Sequence, residues 1–400
     1  MAPRAIIAGG SMGGLFAAAA LRRIGWRADV FEKTPVELSG RGAGIVTHRE
    51  LVAAMEEVGA STEALGVEVL ERVAFDRRGE VVARLPYPQV VTSWDRLHQS
   101  LRAITPDDSH HLGREVTGYR EMADGVEVIF ADGSREHADI LVGADGFRSA
   151  VRAQLWPKVQ PIYSGYVVWR ALTPEAAIPP ELRESVFPYF GLYCPAGTQI
   201  VGYPIPGPKN DLRPGHRRYN FVWYVAAPEG ELAEMLTDAE GRRHALTVPP
   251  PLVREELIAE ALRAAEETLP RAFVEILAHS ERPFFTPIYD FVSPAFASAR
   301  VALVGDAACV ARPHVGMGVT KAAEDALSLA RHLSSDLPVD EALSLYSAER
   351  QPQARRAMEI GRRLGSYVFA SDPEGRNRDG RHHPMLDRIM RETAVVPGRM

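Results

Sequence analysis

A glycine-rich turn near the beginning of the chain has the residue types needed to bind a dinucleotide. Residues 9–14 follow the GxGxxG pattern, with Ser11 at the position of the second glycine. Gly9 permits a tight turn, and Gly14 lets a helix pack close to the preceding strand. The N–H groups at the start of that helix attract a pyrophosphate. We expect the Ser11 hydroxyl to donate a hydrogen bond to a phosphate; the alternative is an ordinary glycine-rich turn.

An acidic residue follows at a spacing that helps to select the nucleotide. Glu32 stands 23 residues after Gly9, where a carboxylate can accept hydrogen bonds from the ribose of an adenosine. A negative charge at this position repels a 2′-phosphate. The pattern therefore favours FAD or NAD over NADP, whereas the alternative is a surface acid beside Lys33.

The composition excludes several other classes of protein. The chain has 400 residues, of which 46% are hydrophobic and 24% charged, as in globular proteins of two domains or of one large domain with an insertion. Cys194 and Cys309 are too few for a disulfide scaffold or a CxxC site, and they favour a reducing cytoplasm. A net charge of −6 disfavours a nucleic-acid partner.

The uncharged stretch at 5–21 must be weighed as a signal peptide or a membrane helix. Its glycines divide it into a short strand at 5–8, a turn, and an alanine-rich helix at 12–24. We therefore expect neither secretion nor a membrane span.

The elements around this turn predict a doubly wound parallel sheet. A strand at 28–31 completes a strand, helix, strand unit. Apolar strands at 140–143 and 301–305 each run into a Gly-Asp or Asp-Gly turn. Ligands bind at the carboxyl ends of such strands, so these turns are candidate binding sites.

The chain changes character between 156 and 270, where prolines and aromatic strands predict an inserted sheet. The predicted fold class is α/β: a Rossmann-like, doubly wound FAD-binding sheet with an inserted, mostly antiparallel β-sheet substrate domain and C-terminal helices. The predicted divisions are 1–155 (FAD-binding, first part), 156–270 (substrate-binding sheet), 271–370 (FAD-binding, second part, with the C-terminal helix) and 371–400 (a loosely ordered polar tail).

Three separated motifs give the chain a resemblance to a known family. They are the glycine turn with Glu32, the run at 143–152 and the run at 305–326. In this combination and order the chain resembles the FAD-dependent aromatic hydroxylases, the single-component flavoprotein monooxygenases related to para-hydroxybenzoate hydroxylase. The resemblance implies that NADH or NADPH reduces FAD and that O₂ then forms a flavin C4a-hydroperoxide. That species would hydroxylate an activated aromatic or hydroxypyridine-type ring.

Four shorter runs resemble the branch of this family that hydroxylates dihydroxypyridines. They lie at 39–46, 165–170, 203–207 and 312–314. Two positions depart from the family pattern. Trp94 stands where many members have an arginine, three residues before a leucine, that contacts FAD, and His48 stands where the branch has a polar amide.

The resemblance also assigns residues to the cofactor. It implies that Asp306 bonds the ribityl chain, that Pro313 packs near the isoalloxazine ring, and that the N–H groups of 316–318 face flavin N1 and O2. It further implies a role for Asp145 in binding both FAD and the pyridine nucleotide. The residues expected to hold FAD are Gly9, Ser11, Met12, Gly13, Gly14, Glu32, Lys33, Arg41, Gly44, Val46, Trp94, Asp145, Gly305, Asp306, Pro313, Gly316, Met317, Gly318 and Val319.

Hydroxylation is helped by a group that ionises a ring hydroxyl. The candidates are His48 and His314, the histidines nearest the flavin motifs, together with Tyr203. Tyr219 and Tyr224 are rival proton relays. For each histidine, the alternative is a hydrogen-bonded structural residue.

Aromatic side chains alternate along the strand at 219–225. Tyr219, Phe221 and Trp223 share one face, and we predict that they line the substrate pocket with Tyr203 and Pro313. The alternative is that this aromatic face packs into the core. The histidines have no metal-ligand spacing, so we expect no metal.

Two other enzyme types and one non-catalytic role are alternatives. A dehydrogenase or a halogenase could share the cofactor fold, but a halogenase would show a Trp-x-Trp-x-Ile-Pro run, which 221–225 does not match. A flavin-binding protein that sequesters a ligand is the third alternative. The expected partners are a small aromatic or heteroaromatic substrate, O₂, a transient NADH or NADPH, and a second copy of the chain in a homodimer, with no membrane partner.

Overall fold

The computed structural model describes residues 2–40, 44–369, 380–381 and 383–396, so that Arg41 and much of the predicted tail lie outside the described residues. The strands are β1 (Arg4–Ala8), β2 (Arg27–Glu32), β3 (Gly44–Val46), β4 (Val67–Phe75), β5 (Val81–Ser93), β6 (His110–Leu112), β7 (Val116–Glu121), β8 (Val126–Phe130), β9 (Arg135–Ala138), β10 (Ile140–Gly143), β11 (Ile162–Pro174), β12 (Phe190–Tyr193), β13 (Thr198–Ile205), β14 (Arg218–Ala226), β15 (Phe284–Val292), β16 (Val301–Leu303) and β17 (Cys309–Val310). The helices are α1 (Met12–Arg23), α2 (Arg49–Glu57), α3 (Trp94–Ala103), α4 (Ala150–Leu155), α5 (Pro180–Ser185), α6 (Glu229–Met235), α7 (Glu255–Thr268), α8 (Arg271–Ala278), α9 (Gly318–Leu333), α10 (Val339–Val368) and α11 (Leu386–Glu392).

The first sheet is parallel and has the strand order β16-β10-β1-β2-β6. Its central strands are apolar and fully buried, as at Ile6 and Val142, which is typical of a parallel sheet covered on both faces. Helices α1 and α9 belong to the same core, since Phe16 and Leu329 are both fully buried in it. The predicted doubly wound sheet is confirmed, and the glycine turn lies at its β1–α1 junction.

The second sheet is larger and mostly antiparallel, with the order β17-β15-β11-β14-β13-β12-β4-β5-β3. The sequence prediction assigned only 156–270 to such a sheet. The structure adds β3, β4 and β5 from before that stretch and β15 and β17 from after it. Long-range strand pairing of this kind leaves no local signal, because the added strands lie far from 156–270 in sequence or pair with one another across long loops.

Both faces of this second sheet are buried. One face packs against α7 and α8, where Phe221 and Phe273 share a hydrophobic cluster. The other face, with Val222 and Tyr224, belongs to a cluster that includes Ile389 of α11. The sheet therefore has a helical side and a side that faces the C-terminal segment.

The C-terminal residues differ from the prediction of a loosely ordered tail. Helix α11 forms, and Ile389 and Met390 are each 2% exposed. The reason is a long-range contact: the fully buried guanidinium of Arg72 donates to the carbonyl oxygens of Met390 and Thr393. None of the helices in the described part of the chain combines the length and the hydropathy that a membrane crossing requires.

Candidate active site

The glycine turn after β1 has the close approaches that only glycine allows. Gly9 has φ +105°, and a Cβ atom there would collide with the carbonyl oxygen of Ala144. A Cβ atom on Gly14 would collide with the carbonyl oxygen of Gly9, which explains the tight contact between α1 and β1. Ser11 is the N-cap of α1, and its side chain makes no capping hydrogen bond. The N–H groups at this helix start therefore lack a side-chain cap.

Glu32 lies at the end of β2 and contacts this turn directly. Its carboxylate accepts hydrogen bonds from the N–H groups of Gly10 and Thr34, both at 2.9 Å. Glu32 is only 5% exposed, whereas Lys33 is exposed. Glu32 therefore lies beside the glycine turn, as the spacing predicted, and is not a surface residue.

Two aromatic side chains lie at the turn: Trp94, which was singled out from the sequence, and His98, which was not. His98 lies within hydrogen-bond distance of the carbonyl oxygen of Gly10, at 3.1 Å, and Trp94 stacks on His98 with ring centroids 4.7 Å apart. Both belong to α3, one turn apart. Trp94, which replaces the arginine of many family members, therefore contacts the glycine turn through a histidine.

Asp145 follows β10 beside the same turn. Its Oδ2 atom accepts from the N–H groups of Ala150 and Val151 at the start of α4. Its Oδ1 atom is buried and has no hydrogen-bond partner among the described residues. Burial raises the pKa of Asp145, and an acceptor oxygen without a donor calls for a donor on a ligand.

A cavity of about 440 Å³ lies at the end of β16 and the start of α9, against the second sheet. Many of the predicted residues line it. They are Gly44, Val46, Tyr203, Asp306, Pro313, His314, Gly316, Met317, Gly318 and Val319. The additional charged or polar residues that line it are Arg170, Tyr224, Thr286, Arg312, Lys321 and Thr393.

Asp306 supplies an unsatisfied carboxylate to this cavity. It is exposed and lines the cavity, and it makes no hydrogen bond or ion pair with any described residue. The surrounding protein raises the pKa of Asp306, while the charge of Lys321 opposes that effect. Lys321 itself donates to the carbonyl oxygen of Gly305 at 2.6 Å and pairs with Asp325. Asp306 is therefore left to accept from a ligand.

His48 is not placed as a catalytic residue. It does not line this cavity; its Nδ1 lies 2.8 Å from the Thr320 hydroxyl and its Nε2 3.2 Å from the carbonyl oxygen of Ala394. Burial lowers the pKa of His48. Both ring nitrogens of His48 have partners within the protein. This arrangement favours the alternative given above, in which His48 is a hydrogen-bonded structural residue and does not contact the substrate.

His314 does line the cavity, with a different role from the base that was predicted. Its Nε2 lies 2.9 Å from the hydroxyl oxygen of Tyr166, and its ring lies 4.2 Å from that of Tyr224. Burial lowers the pKa of His314 to about 3. A histidine held neutral in this way is a hydrogen-bonding group near pH 7, and a poor general base. Burial also raises the pKa of Tyr203, so Tyr203 stays protonated.

The residues predicted as a substrate wall lie on the face of β14 that does not line this cavity. Tyr219, Phe221 and Trp223 are almost fully buried in the cluster beneath α7 and α8 and do not line the cavity. Val222 and Tyr224, on the opposite face, do. The alternation of side chains was read correctly, but both faces of this strand are buried, so the sequence pattern did not distinguish them.

Comparison with known proteins agrees with this arrangement. A family model described as FAD binding domain-like matches residues 163–290. The 2,6-dihydroxypyridine 3-monooxygenase of Paenarthrobacter nicotinovorans is 31% identical over 374 residues, which is 91% of each chain. The aurachin C monooxygenase/isomerase of Stigmatella aurantiaca is 32% identical over 90% of this chain and 88% of its own. The chain belongs to the FAD-dependent aromatic monooxygenases.

The solved structures extend this family likeness to the whole fold. The 2,6-dihydroxypyridine-3-hydroxylase from Arthrobacter nicotinovorans superposes with a TM-score of 0.87 at 28% identity, covering 95% of this chain and 96% of the other. A Klebsiella pneumoniae HpxO structure complexed with FAD and uric acid superposes with a TM-score of 0.79. At 23% identity the second likeness concerns the fold alone.

The residues of this monooxygenase fit FAD at both ends of the site. At the nucleotide end, Gly9 and Gly14 leave a cradle that a Cβ atom would fill, and Asp145 offers an unpartnered oxygen. At the ring end, Asp306 would hold the ribityl chain and the first N–H groups of α9 would face the flavin ring. Bound FAD supplies the reaction with pyridine nucleotides and O₂, which no side chain can perform.

The monooxygenase chain itself supplies position, charge and partly apolar cavity walls. Gly316 has φ +63° and turns the chain so that α9 begins at Gly318 with its positive end toward the cavity. That end stabilises negative charge. Apolar side chains such as Phe190 and Val222 line the cavity, and apolar walls of this kind would help to keep water from a bound ring.

Proposed function

We propose that this monooxygenase hydroxylates a small hydroxypyridine-type ring, with NADH or NADPH and O₂ as co-substrates. The supporting observation is that the four runs resembling the dihydroxypyridine branch all contribute to one cavity. These residues are Gly44, Ile45, Val46, Arg170, Tyr203, Arg312, Pro313 and His314. Similarity over 91% of the chain to a 2,6-dihydroxypyridine 3-monooxygenase supports the same class of ring.

The test measures coupled turnover. The FAD-loaded protein is mixed under air with NADH or NADPH and with hydroxypyridines, phenols or their methyl ethers, while pyridine-nucleotide oxidation, peroxide and hydroxylated product are quantified together. We expect a hydroxypyridine to accelerate oxidation and to give product in near-equal amount, with little peroxide. Turnover of phenols alone would overturn the proposed ring class. If no ring accelerates oxidation, the ligand-sequestering alternative is favoured.

We further propose a homodimer that works in a reducing cytoplasm without nucleic-acid or membrane partners. Cys194 and Cys309 are both buried, and among the described residues they form no disulfide, as is typical of proteins from reducing compartments. Twofold dimers are the commonest assemblies of soluble enzymes. Sedimentation velocity at micromolar concentration tests the assembly, and a species of 43.9 kDa alone would overturn it.

A further inference from the structure

One positive charge in the cavity has no partner among the residues that the structure describes. Arg170 lies on β11 and lines the cavity, yet it makes no ion pair or hydrogen bond with any described residue. The other two cations of the cavity wall are compensated: Arg312 donates to Asp290 at 2.8 Å, and Lys321 lies 3.5 Å from Asp325.

The strand neighbours of Arg170 and two nearby tyrosines are uncharged. Burial raises the pKa of Tyr203 on β13 and of Tyr224 on β14, and the positive charge of Arg170 opposes this effect in both. Both tyrosines therefore stay protonated. His314, from the turn before α9, packs against Tyr224 and is neutral. The neighbour of Arg170 on β14 is Val222, which lines the cavity, and its neighbour on β15 is Phe284, which lines it as well. A half-buried cation surrounded in this way favours an anionic partner.

A hydrogen-bond chain from Arg312 through Tyr166 favours one tautomer of His314. The Arg312 guanidinium lies beside the Tyr166 hydroxyl, where it opposes the burial that raises the pKa of Tyr166 to about 12. A guanidinium has donors only, so it donates to the Tyr166 oxygen, which leaves the Tyr166 proton free for Nε2 of His314, 2.9 Å away. This arrangement places the imidazole proton of neutral His314 on Nδ1. The Nδ1 atom makes no hydrogen bond within the described part of the chain.

We propose that Arg170 and the Nδ1–H group of His314 form a receptor for an anionic oxygen on the substrate ring. Tyr166 acts through His314 as a positioning residue. The substrate then enters the cavity already as an anion, as an ionised ring hydroxyl or a ring carboxylate, and needs no base from the protein at this position. This inference rests on the proposed ring hydroxylation and adds the charge state of the ring that the cavity selects.

The experiment measures equilibrium binding without a reductant. Hydroxypyridines, pyridine carboxylic acids and their neutral methyl ethers and carboxamides are titrated into the FAD-loaded protein between pH 5 and pH 9, and Kd is read from the change in flavin absorbance. In the wild-type protein we expect the Kd of each acid to follow the pKa of that acid, and the neutral analogues to bind at least 10-fold more weakly. The hydroxyl and carboxyl series distinguish the two sources of the anion.

Three variants separate the receptor from general packing. Arg170→Met should weaken binding of the anions roughly 10- to 150-fold, the range for hydrogen bonds to charged groups, with little change for neutral analogues. Arg170→Lys should recover part of the loss. Tyr166→Phe should weaken anion binding less, because His314 then adopts either tautomer. The control is Arg84→Met, which removes an exposed arginine that pairs with Glu71 on the same sheet.

Two results would overturn the receptor, and neither coincides with failure of the proposed function. One is equal weakening of anions and neutral analogues in Arg170→Met. The other is wild-type binding that ignores the charge of the ring. Conversely, a ring compound that binds tightly as an anion but gives no hydroxylated product when NADH or NADPH is added would contradict the proposed function but not the anion receptor.

Discussion

The Nδ1 atom of His48 lies 2.8 Å from the hydroxyl oxygen of Thr320, a residue 272 positions away in sequence. The Nε2 atom of the same ring lies 3.2 Å from the carbonyl oxygen of Ala394. A carbonyl can only accept, so Nε2 carries the proton and Nδ1 accepts from Thr320. One imidazole thus joins the first turn of α9 to the C-terminal segment that closes the cavity.

A double-mutant cycle tests this tie. His48→Leu and Thr320→Val should each lower the free energy of unfolding by about 1–3 kcal/mol, because each leaves a buried polar partner unpaired. The double variant should lose less than the sum, with a coupling energy of at least about 0.5 kcal/mol. Urea denaturation measures all four proteins. Strict additivity would show that the two side chains do not interact in solution.

The sequence predicted those parts of the site that depend on local geometry. The glycine turn and Glu32 were found because a strand, a tight turn and a helix start must follow one another within a few residues, and only certain residues satisfy those positions. Asp306 and the start of α9 were found because a recognised motif joins them in one run. Each of these signals lies within one short segment.

The parts that sequence reasoning missed depend on pairing over long distances. Arg72 holds Met390, 318 positions away, and nothing in the local pattern at either position signals that contact. Arg170 belongs to the run at 165–170, which resembles the dihydroxypyridine branch of the family. Only the position of β11 between β14 and β15 shows that Arg170 lines the cavity. The face of β14 that lines the cavity is not the one that the sequence pattern favoured, because burial on both faces removes the polar alternation that would mark one of them.

Arg72 should be needed to hold the C-terminal segment in place. Its guanidinium donates to Met390, Thr393 and Gln89, and it stacks with its centre 4.2 Å from the ring of Tyr87. Burial lowers the pKa of Arg72 to about 10, so it stays charged at neutral pH. Arg72→Met should destabilise the protein by about 3 kcal/mol, because the main-chain carbonyls lose their donor.

Limited proteolysis adds a local readout for the same variant. In Arg72→Met, cleavage near residues 390–394 should precede global unfolding, whereas the wild-type protein should be cut there only after it unfolds. A variant that loses stability without early cleavage in this segment would show that Arg72 supports the sheet and not the C-terminal segment.

Two glycines of the same turn give a matched pair of variants. Gly14→Ala should abolish FAD binding or folding, because its Cβ atom would collide with the carbonyl oxygen of Gly9. Gly13→Ala should be tolerated, since its Cβ atom would meet Val304 at an ordinary 3.6 Å. The flavin content of the purified proteins, measured by absorbance, checks both. Equal flavin content in the two variants would contradict the close approach of α1 to β1.

The carboxylate of Asp306 should be needed for firm retention of FAD. Asp306→Ala removes an acceptor that has no partner in the described part of the chain, so folding should be little affected while FAD affinity falls roughly 10- to 150-fold. Asp306→Asn keeps one acceptor oxygen and should lose less. Fluorescence titration of the apoprotein with FAD measures this, with the exposed Asp336→Ala as control. Wild-type affinity in Asp306→Ala would remove Asp306 from the site.

Low pH should lower the free energy of unfolding in part through protonation of Asp290. This residue is fully buried between Arg312 and Arg362. Burial alone would raise the pKa of Asp290, but hydrogen bonds from both arginines outweigh it and hold the pKa below the ordinary value of 3.8. The ion pairs of Asp290 therefore make their full contribution to stability at pH values above 3.8, the ordinary pKa of an aspartate. That contribution is lost as the pH falls through the lower pKa of Asp290 in the folded protein. Asp290→Asn should cost about 3 kcal/mol at pH 7, and its deficit relative to wild type should shrink below pH 3.8. Urea denaturation across this pH range measures the difference, and a deficit that stays constant would mean that the charge of Asp290 does not support the fold.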